Sequence, residues 1–362
     1  MLFGLWGVYD RLAHGHLNAN YGSYVVWGLW VAAYLFFAGT AAGAYMISSL
    51  DLLFKVRAFR NTGKLSLWIA LVSLAAAMIS ILFDLGHMGR AWRAVFQANP
   101  GSVMAQMVWG YNLFGLLILC TLWCAIFRPE TRLLKILCVL GLFLSLFVSG
   151  AVGALLGVNV SRMFWHVGLL PAQFPVFSLG SGAAAMLAVQ GLLGDRKNPS
   201  LQQLIHILGI MTIVIALVKL FFLWADFSQS YYGNIPQNID AVNLVLFGPY
   251  WWAFWILQIL LGTLVPIAFL AQPRSAEKGY WAGVVGILVL LGYGVARANI
   301  IFPAMAVPEL DALKSAFVSN RLSYDYFPSL MEWAVSIGIT GFAVMAFLVG
   351  RDTLKLEESR TS

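Results

Sequence analysis

Charge is what this sequence has least of. Lys, Arg, Asp and Glu together make up 10% of its 362 residues, where a soluble domain carries roughly 25%. A surface that poor in charge does not stay in solution. The scarcity excludes an ordinary globule, and the 61% hydrophobic content excludes a disordered chain. Cysteine is equally scarce. Cys120, Cys124 and Cys138 all lie inside apolar runs and form no CxxC. A disulfide scaffold, structural zinc and thiol-ligated clusters are therefore not expected. Walker loops, nucleophile elbows and HExxH motifs are missing too, so ATP-driven transport and hydrolysis find no support. The net charge of +7 comes without a Lys/Arg block and does not point to nucleic acid. Its basic residues sit at the ends of apolar runs, as headgroup anchors do.

What is present is apolar length. A bilayer core of about 30 Å needs about 20 apolar residues per helix. Nine runs qualify: Ser23–Phe54, Leu65–His87, Val103–Phe127, Leu133–Val158, Pro171–Gly194, Leu201–Ala225, Phe247–Ala271, Gly279–Phe302 and Ser329–Gly350. They are continuous and too long for β-barrel strands. The sequence therefore predicts an all-α integral membrane protein, one polytopic domain over residues 1–362, with no internal repeat. No secretory signal precedes the first run, which is expected to be retained. Gly39–Gly43 and Gly153–Gly157 are small-xxx-small patterns suited to close helix packing.

Basic residues set the expected orientation. The connections after odd-numbered spans carry Lys55, Arg57, Arg60, Lys64, Arg128, Arg132, Arg196, Lys197, Arg274, Lys278, Arg351, Lys355 and Arg360. The other side has only Arg11, Arg90, Arg93, Arg162, Lys314 and Arg321. Thirteen against six places the N-terminus outside and the C-terminus in the cytoplasm. The two longest connections, Asp226–Leu246 and Pro303–Pro328, then lie outside, so that face is expected to carry function.

Ionisable groups inside a membrane are costly and usually functional. Asp84 and His87 close span 2, one turn apart, with Arg90 and Arg93 following. Asn159, Arg162 and His166 follow span 4. Trp27, Trp30 and Tyr34 share one side of span 1. Carboxylate, imidazole, amide and aromatic faces at one depth suit a quinone headgroup. Its carbonyls need donors, and its two-electron chemistry needs proton acceptors. The competing reading pairs Asp84 with Arg90 or Arg162 to fix helix ends and makes the aromatics an interfacial belt. Lys219 and Asp226 share a face at the expected outer end of span 6. Arg297 and Glu332 lie near the same surface, where they could pair. These four are either structural pairs or steps of a proton route. Haem b would need axial histidines on facing helices. Only five histidines exist, and they are peripheral, so no haem is expected. Besides a quinone-reactive subunit, an ion-translocating or secondary-transporter-like subunit and a passive anchor stay open.

Five stretches in order resemble a known family. They are Phe36–Gly43, Asp84-Leu85-Gly86-His87 with Arg90–Arg93, Asn159–Pro171, Phe247–Tyr250, and Arg321–Ser329 leading to Glu332-Trp333. Together they resemble the NrfD-type membrane subunits, the family of the polysulfide reductase anchor. The last stretch resembles the longer branch that includes membrane subunits of some uptake hydrogenases. The resemblance implies a haem-free helical subunit, without metal of its own, in a bacterial cytoplasmic (inner) membrane. It would bind menaquinone or ubiquinone near the outer surface. It would exchange electrons with a ferredoxin-like iron–sulfur subunit there, which serves a molybdopterin or hydrogenase-type catalytic subunit. Asp84, Asn159, Arg162 and Tyr34 match the family's headgroup positions. Two departures stand out: nine spans instead of the anchor's eight, and Ala151 where the anchor has a quinone-contacting tyrosine.

Overall fold

A computed structural model describes residues 2–194, 199–317, 319, 322–354 and 356. Arg196, Lys197, Arg321, Lys355 and Arg360, used above for orientation or resemblance, lie outside the described residues. A helix occupies each of the expected spans. We number the longer helices α1 Leu2–His14, α2 Leu29–Leu52, α3 Gly63–Asp84, α4 Val103–Phe127, α5 Arg132–Gly157 and α6 Leu170–Leu193. The rest are α7 Pro199–Tyr232, α8 Pro236–Leu246, α9 Ala253–Leu270, α10 Gly279–Ala306 and α11 Leu330–Thr353. Among the described residues nine of them, α2 to α7 and α9 to α11, are long and apolar enough to cross a membrane. The protein is a multi-pass integral membrane protein.

Two groups of helices meet at a central seam. Helices α2, α3, α4 and α5 pack together, as do α6, α7, α9 and α10, and α2 crosses α6 between them. The seam is tight because glycines face each other. A Cβ on Gly43 would collide with the Ser178 carbonyl, and one on Gly182 with the Gly43 backbone. Gly153 meets the backbone of Leu170 and Pro171 in the same way. Both small-xxx-small patterns thus mark close helix approaches. Helix α11 lies on α3, and α1 runs antiparallel along α11, with Gly4 against Gly338 and Gly7 against Ala334. Helix α1 is shorter than a span, so apolar length did not reveal it.

Three of the boundaries that differ from expectation move a candidate residue. Helix α2 begins at Leu29, not Ser23, so Trp27 precedes it. Helix α3 ends at Asp84, so His87 is not one helical turn further on but in the loop beyond. Helix α7 continues to Tyr232. The expected loop Asp226–Leu246 is therefore mostly helix, completed by α8. Hydropathy stops at Asp226, but Gln, Ser and Tyr sustain a helix, so apolar length understated this one. Lys219 then lies 13 residues before the helix end, about 20 Å at 1.5 Å per residue, near mid-bundle instead of at its end.

Helix α9 opens with a π-helical stretch, Ala253–Leu264. The Thr263 hydroxyl donates to the Gln258 carbonyl five residues back, at 2.7 Å. Pro266, without an N–H, follows where the α pattern resumes. The wide turn sets Gln258 and Thr263 on one side, facing α7 and α10.

Candidate functional site

All the irregular segments of interest meet at one end of the bundle, where α3 stops at Asp84. Arg11 of α1 closes that stop. Its Nε donates to the Phe83 carbonyl at 2.9 Å and its Nη2 to the Leu85 carbonyl at 2.8 Å, satisfying terminal helix acceptors. The same guanidinium lies 5.7 Å from the Trp30 ring centroid.

Opposite Asp84, Ser329 and Glu332 form a capping box at the start of α11. The Glu332 carboxylate does more than cap. Oε1 accepts from the Asn20 and Ser329 amides at 3.0 and 3.1 Å. Oε2 accepts from the Tyr326 hydroxyl at 2.5 Å and the Leu29 amide at 3.4 Å. A fully buried acid with four donors is held as an acceptor and binds three chain segments together. Trp30 donates its Nε1 to the Glu332 carbonyl at 3.2 Å. Glu332 thus belongs beside Asp84, and it does not pair with Arg297.

Tyr21 comes from the irregular segment before α2. It is buried, edge-on to Trp30 at 6.0 Å between centroids. Burial, then the Asp84 charge, hold its hydroxyl well above the usual phenol range, so it remains a protonated donor. Tyr21, Glu332 and Arg11 are the ionisable groups that act on Asp84. Asp84 Oδ1 and Tyr21 Oη are both buried, and the hydroxyl and carboxylate act on each other as donor and acceptor; neither has any further hydrogen-bond partner among the described residues. Buried polar atoms are rarely left so. Here a donor and an acceptor face each other with no other described group of the chain bound to them, beside the Trp30 and Phe83 rings.

The other expected ligands go elsewhere. His87 and Arg90 are exposed in the loop after α3. His166 is exposed, its Nδ1 2.9 Å from the Gly157 carbonyl, and Asn159 accepts from Ser161 at 2.7 Å. Arg162 is buried and fully engaged. It donates to the Val307 and Ala304 carbonyls at 2.7 and 3.3 Å and to the Tyr24 carbonyl at 3.1 Å. It also pairs with Glu309 at 2.7 Å. Burial lowers its pKa while Glu309 opposes the shift. It is a clasp between the α5–α6 loop, the end of α10 and the segment before α2, and it pairs with neither Asp84 nor a free ligand position. Tyr34 lies deeper, edge-on to Tyr111 at 5.9 Å, with its hydroxyl 3.6 Å from Met107 Sδ. Trp27 stacks on Trp165 at 5.4 Å. Of the expected cluster, the structure brings Asp84 and Trp30 together. The residues that complete it, Tyr21, Tyr326 and Arg11, were missed because they lie outside the apolar runs. The Ser329-x-x-Glu332 signature was readable.

A second polar cluster lies in the other helix group. Lys219, 1% exposed, donates to the Thr263 hydroxyl at 2.7 Å and sits 5.0 Å from the Tyr293 ring centroid. Gln173 donates to Asp226 Oδ2 at 2.7 Å, and Asn299 to Gln258 Oε1 at 2.8 Å. Lys219, Gln173, Asp226, Gln258 and Asn299 line a cavity of about 50 Å³, room for a water or two. Asp226 Oδ1 is buried there without a partner. Arg297 is separate, its guanidinium 4.0 Å over the Phe174 ring centroid. Gly39 leaves it room, since a Cβ there would come 3.3 Å from its Nη2. Among the described residues no group of three or more His, Cys, Asp or Glu could hold a metal ion.

The family described as polysulphide reductase, NrfD, matches residues 17–309. The chain belongs to the NrfD family. Its similarity to curated members extends almost end to end. It is 30% identical to a selenate reductase subunit of Mesobacillus selenatarsenatis, over 96% of this chain and 90% of that protein. It is 25% identical to the Hdr-like menaquinol oxidoreductase integral membrane subunit of Archaeoglobus fulgidus, over 90% and 84%. It is 22% identical to the menaquinone reductase integral membrane subunit of Nitratidesulfovibrio vulgaris, over 95% and 86%. In this NrfD protein, Tyr21 and Asp84 lie within the matched residues 17–309, and Glu332 lies beyond them.

Proposed function

We propose that this chain is the quinone-reactive membrane subunit of a respiratory redox complex. The observation that carries the reading is the buried Tyr21–Asp84 pair, a donor and an acceptor to which no other described group of the chain is bound. A quinol hydroxyl donates to Asp84 Oδ1, and a quinone carbonyl accepts from Tyr21 Oη. Both groups serve one ring oxygen, which gives its proton to Asp84 as a hydroxyl and accepts from Tyr21 as a carbonyl. Trp30 and Phe83 supply the flat apolar wall, and Glu332 fixes the segments that carry Tyr21 and Trp30. Asp84 acts as the general base, a role whose loss typically costs about 10² to 10⁴ in rate. His87, exposed just beyond, passes the proton on to solvent. Two relatives are named for menaquinone or menaquinol, so menaquinone is the first substrate to try, ahead of ubiquinone.

The Asp84 end is the outer face, by the distribution of basic residues, and the membrane is the bacterial inner membrane. The same end carries a bowl of about 900 Å³ between α8 and the chain around Val307, Lys314 and Tyr324. A ferredoxin-like iron–sulfur subunit docks over it and connects to a molybdopterin or hydrogenase-type catalytic subunit. The chain itself holds no haem. The mid-bundle depth of Lys219 favours a second activity, proton movement through the Lys219–Asp226 cavity with Arg297 alongside. Lys219→Met then slows proton-coupled turnover without loss of assembly.

The decisive experiment is Asp84→Asn in the assembled complex. Quinol-linked electron transfer is expected to fall at least a hundredfold, while the catalytic partner keeps its activity with soluble artificial donors. Normal quinol turnover would remove Asp84 from the mechanism and leave it a helix-end residue.

A further inference from the structure

The flank of the second helix group carries an open groove of about 690 Å³ between the end of α7 and the π-helical start of α9. That volume falls in the range of small-molecule sites, about 300–1,000 Å³. Its walls are apolar and aromatic, with Trp224, Tyr231 and Trp255 all exposed. Exposed Trp and Tyr near helix ends are by themselves an interfacial belt. This groove differs because its floor is the lid of the Lys219–Asp226 cavity. Leu223, Phe227 and Phe254 line both spaces. The Phe227 and Phe254 rings stand 5.5 Å apart as the partition, and Phe227 is only half-buried. Behind them are the unpartnered Asp226 Oδ1 and the Lys219 ammonium, which donates to Thr263 and carries three N–H donors in all.

We propose that this groove is a second quinone-binding site, separate from the one at Asp84. The ring lies among Trp224, Tyr231 and Trp255, the polyprenyl tail runs out into lipid, and one ring oxygen faces the partition. Rotation of Phe227 joins the two spaces and brings that oxygen to Asp226 and Lys219. The chemistry behind the partition selects the occupant. Asp226 Oδ1 needs a donor, and Lys219 needs an acceptor. A ring that carries hydroxyl in one redox state and carbonyl in the other supplies both. A phospholipid phosphate offers acceptors alone and meets a carboxylate. The π-helix has a role here, since it turns Gln258 toward the cavity and Thr263 toward Lys219 and leaves Phe254 at the lid. The proposal shares a ligand class with the reading of the Asp84 site, but it uses none of that site's residues.

The test is photolabelling of the whole chain in phosphatidylcholine nanodiscs with an azido-naphthoquinone bearing a polyprenyl tail, followed by peptide mapping. The expected result is label on the peptides holding Trp224–Tyr231 and Trp255, displaced by menaquinone and not by added phosphatidylglycerol. Asp226→Asn is expected to weaken groove labelling about tenfold or more and to leave label near Tyr21 and Trp30 unchanged. Trp224→Leu, on the exposed wall, is expected to weaken it without touching the buried network. Absence of groove label overturns the proposal. So does displacement by phospholipid, which makes the groove a lipid seat, or indifference to Asp226→Asn. Label in the groove alone, with none near Tyr21, sustains this proposal and sinks the reading of the Asp84 site.

Discussion

The Tyr326 hydroxyl donates to Glu332 Oε2 at 2.5 Å, inside a bundle end where Glu332 is fully buried. With the amides of Asn20, Leu29 and Ser329 on the same carboxylate, one side chain holds the start of α2, the start of α11 and the segment before each. Removing the charge or one donor leaves buried polar atoms unpaired, at about 1–3 kcal/mol each. Glu332→Gln is therefore expected to lower the midpoint of thermal unfolding in detergent, and Tyr326→Phe to lower it less. Unchanged midpoints in both variants would show that the network does not hold the fold. The measurement also separates a structural Glu332 from one in a proton route. A purely functional residue loses activity and keeps its midpoint.

Arg162 is expected to behave as a clasp and not as a ligand. Its donors hold the carbonyls of Ala304 and Val307 and the Glu309 carboxylate, and with them the start of the chain that leads to α11. Arg162→Lys keeps a charge but loses the planar fork. Limited proteolysis of the purified protein is expected to cut within residues 307–317 faster in this variant. An unchanged cleavage rate, together with weakened quinone binding, would return Arg162 to the headgroup.

The spans were legible because a bilayer demands continuous apolar length, and that demand is written in composition. The polar geometry at their ends was not. Hydropathy placed Lys219 near a helix end because the run stops at Ala225, whereas the backbone stays helical to Tyr232. Glu332 and Arg297 looked like partners because both are charges near one surface. In the structure one is filled by backbone amides and the other lies on aromatic rings. Tyr21 was invisible to any periodicity argument, since it sits in an irregular segment. Asp84 was legible from its cost alone, a carboxylate closing an apolar helix.

Haem is the cofactor that five histidines leave least room for. His14 lies 2.9 Å from Asp10, and His166 lies 2.9 Å from the Gly157 carbonyl. His87 and His206 are both exposed, the latter on α7. The purified subunit is expected to show no stoichiometric b-type absorbance. A reduced-minus-oxidised spectrum is the check, and a one-to-one haem signal would overturn the quinone-only reading.

Orientation is testable without any partner. In a background with the three native cysteines replaced by Ala, a cysteine at Tyr232, exposed at the end of α7, is expected to react with an impermeant maleimide in intact cells. One at Glu130, exposed between α4 and α5, is expected to react only after lysis. The reverse pattern would put the Asp84 end in the cytoplasm and move the partner subunit with it.

The last prediction concerns the Tyr21–Asp84 pair itself. If Tyr21 and Asp84 serve the same ring oxygen, their contributions to quinone binding are coupled through it. Tyr21→Phe removes a donor held protonated by its burial and keeps the ring against Trp30. Asp84→Asn keeps the shape of the acceptor and removes its charge. Each alone is expected to weaken menaquinol binding about tenfold, the cost of a hydrogen bond to a charged or buried group. Residues that share a ligand do not add independently. Once the ring has lost one anchor its position is no longer fixed, so the second substitution is expected to cost less than the first. A double-mutant cycle on equilibrium binding reads this directly. Strict additivity would mean the two side chains act on separate things, with Tyr21 a packing residue and Asp84 alone facing the substrate. Loss of binding in neither variant, with the fold intact by thermal unfolding, would place the quinone elsewhere in the bundle.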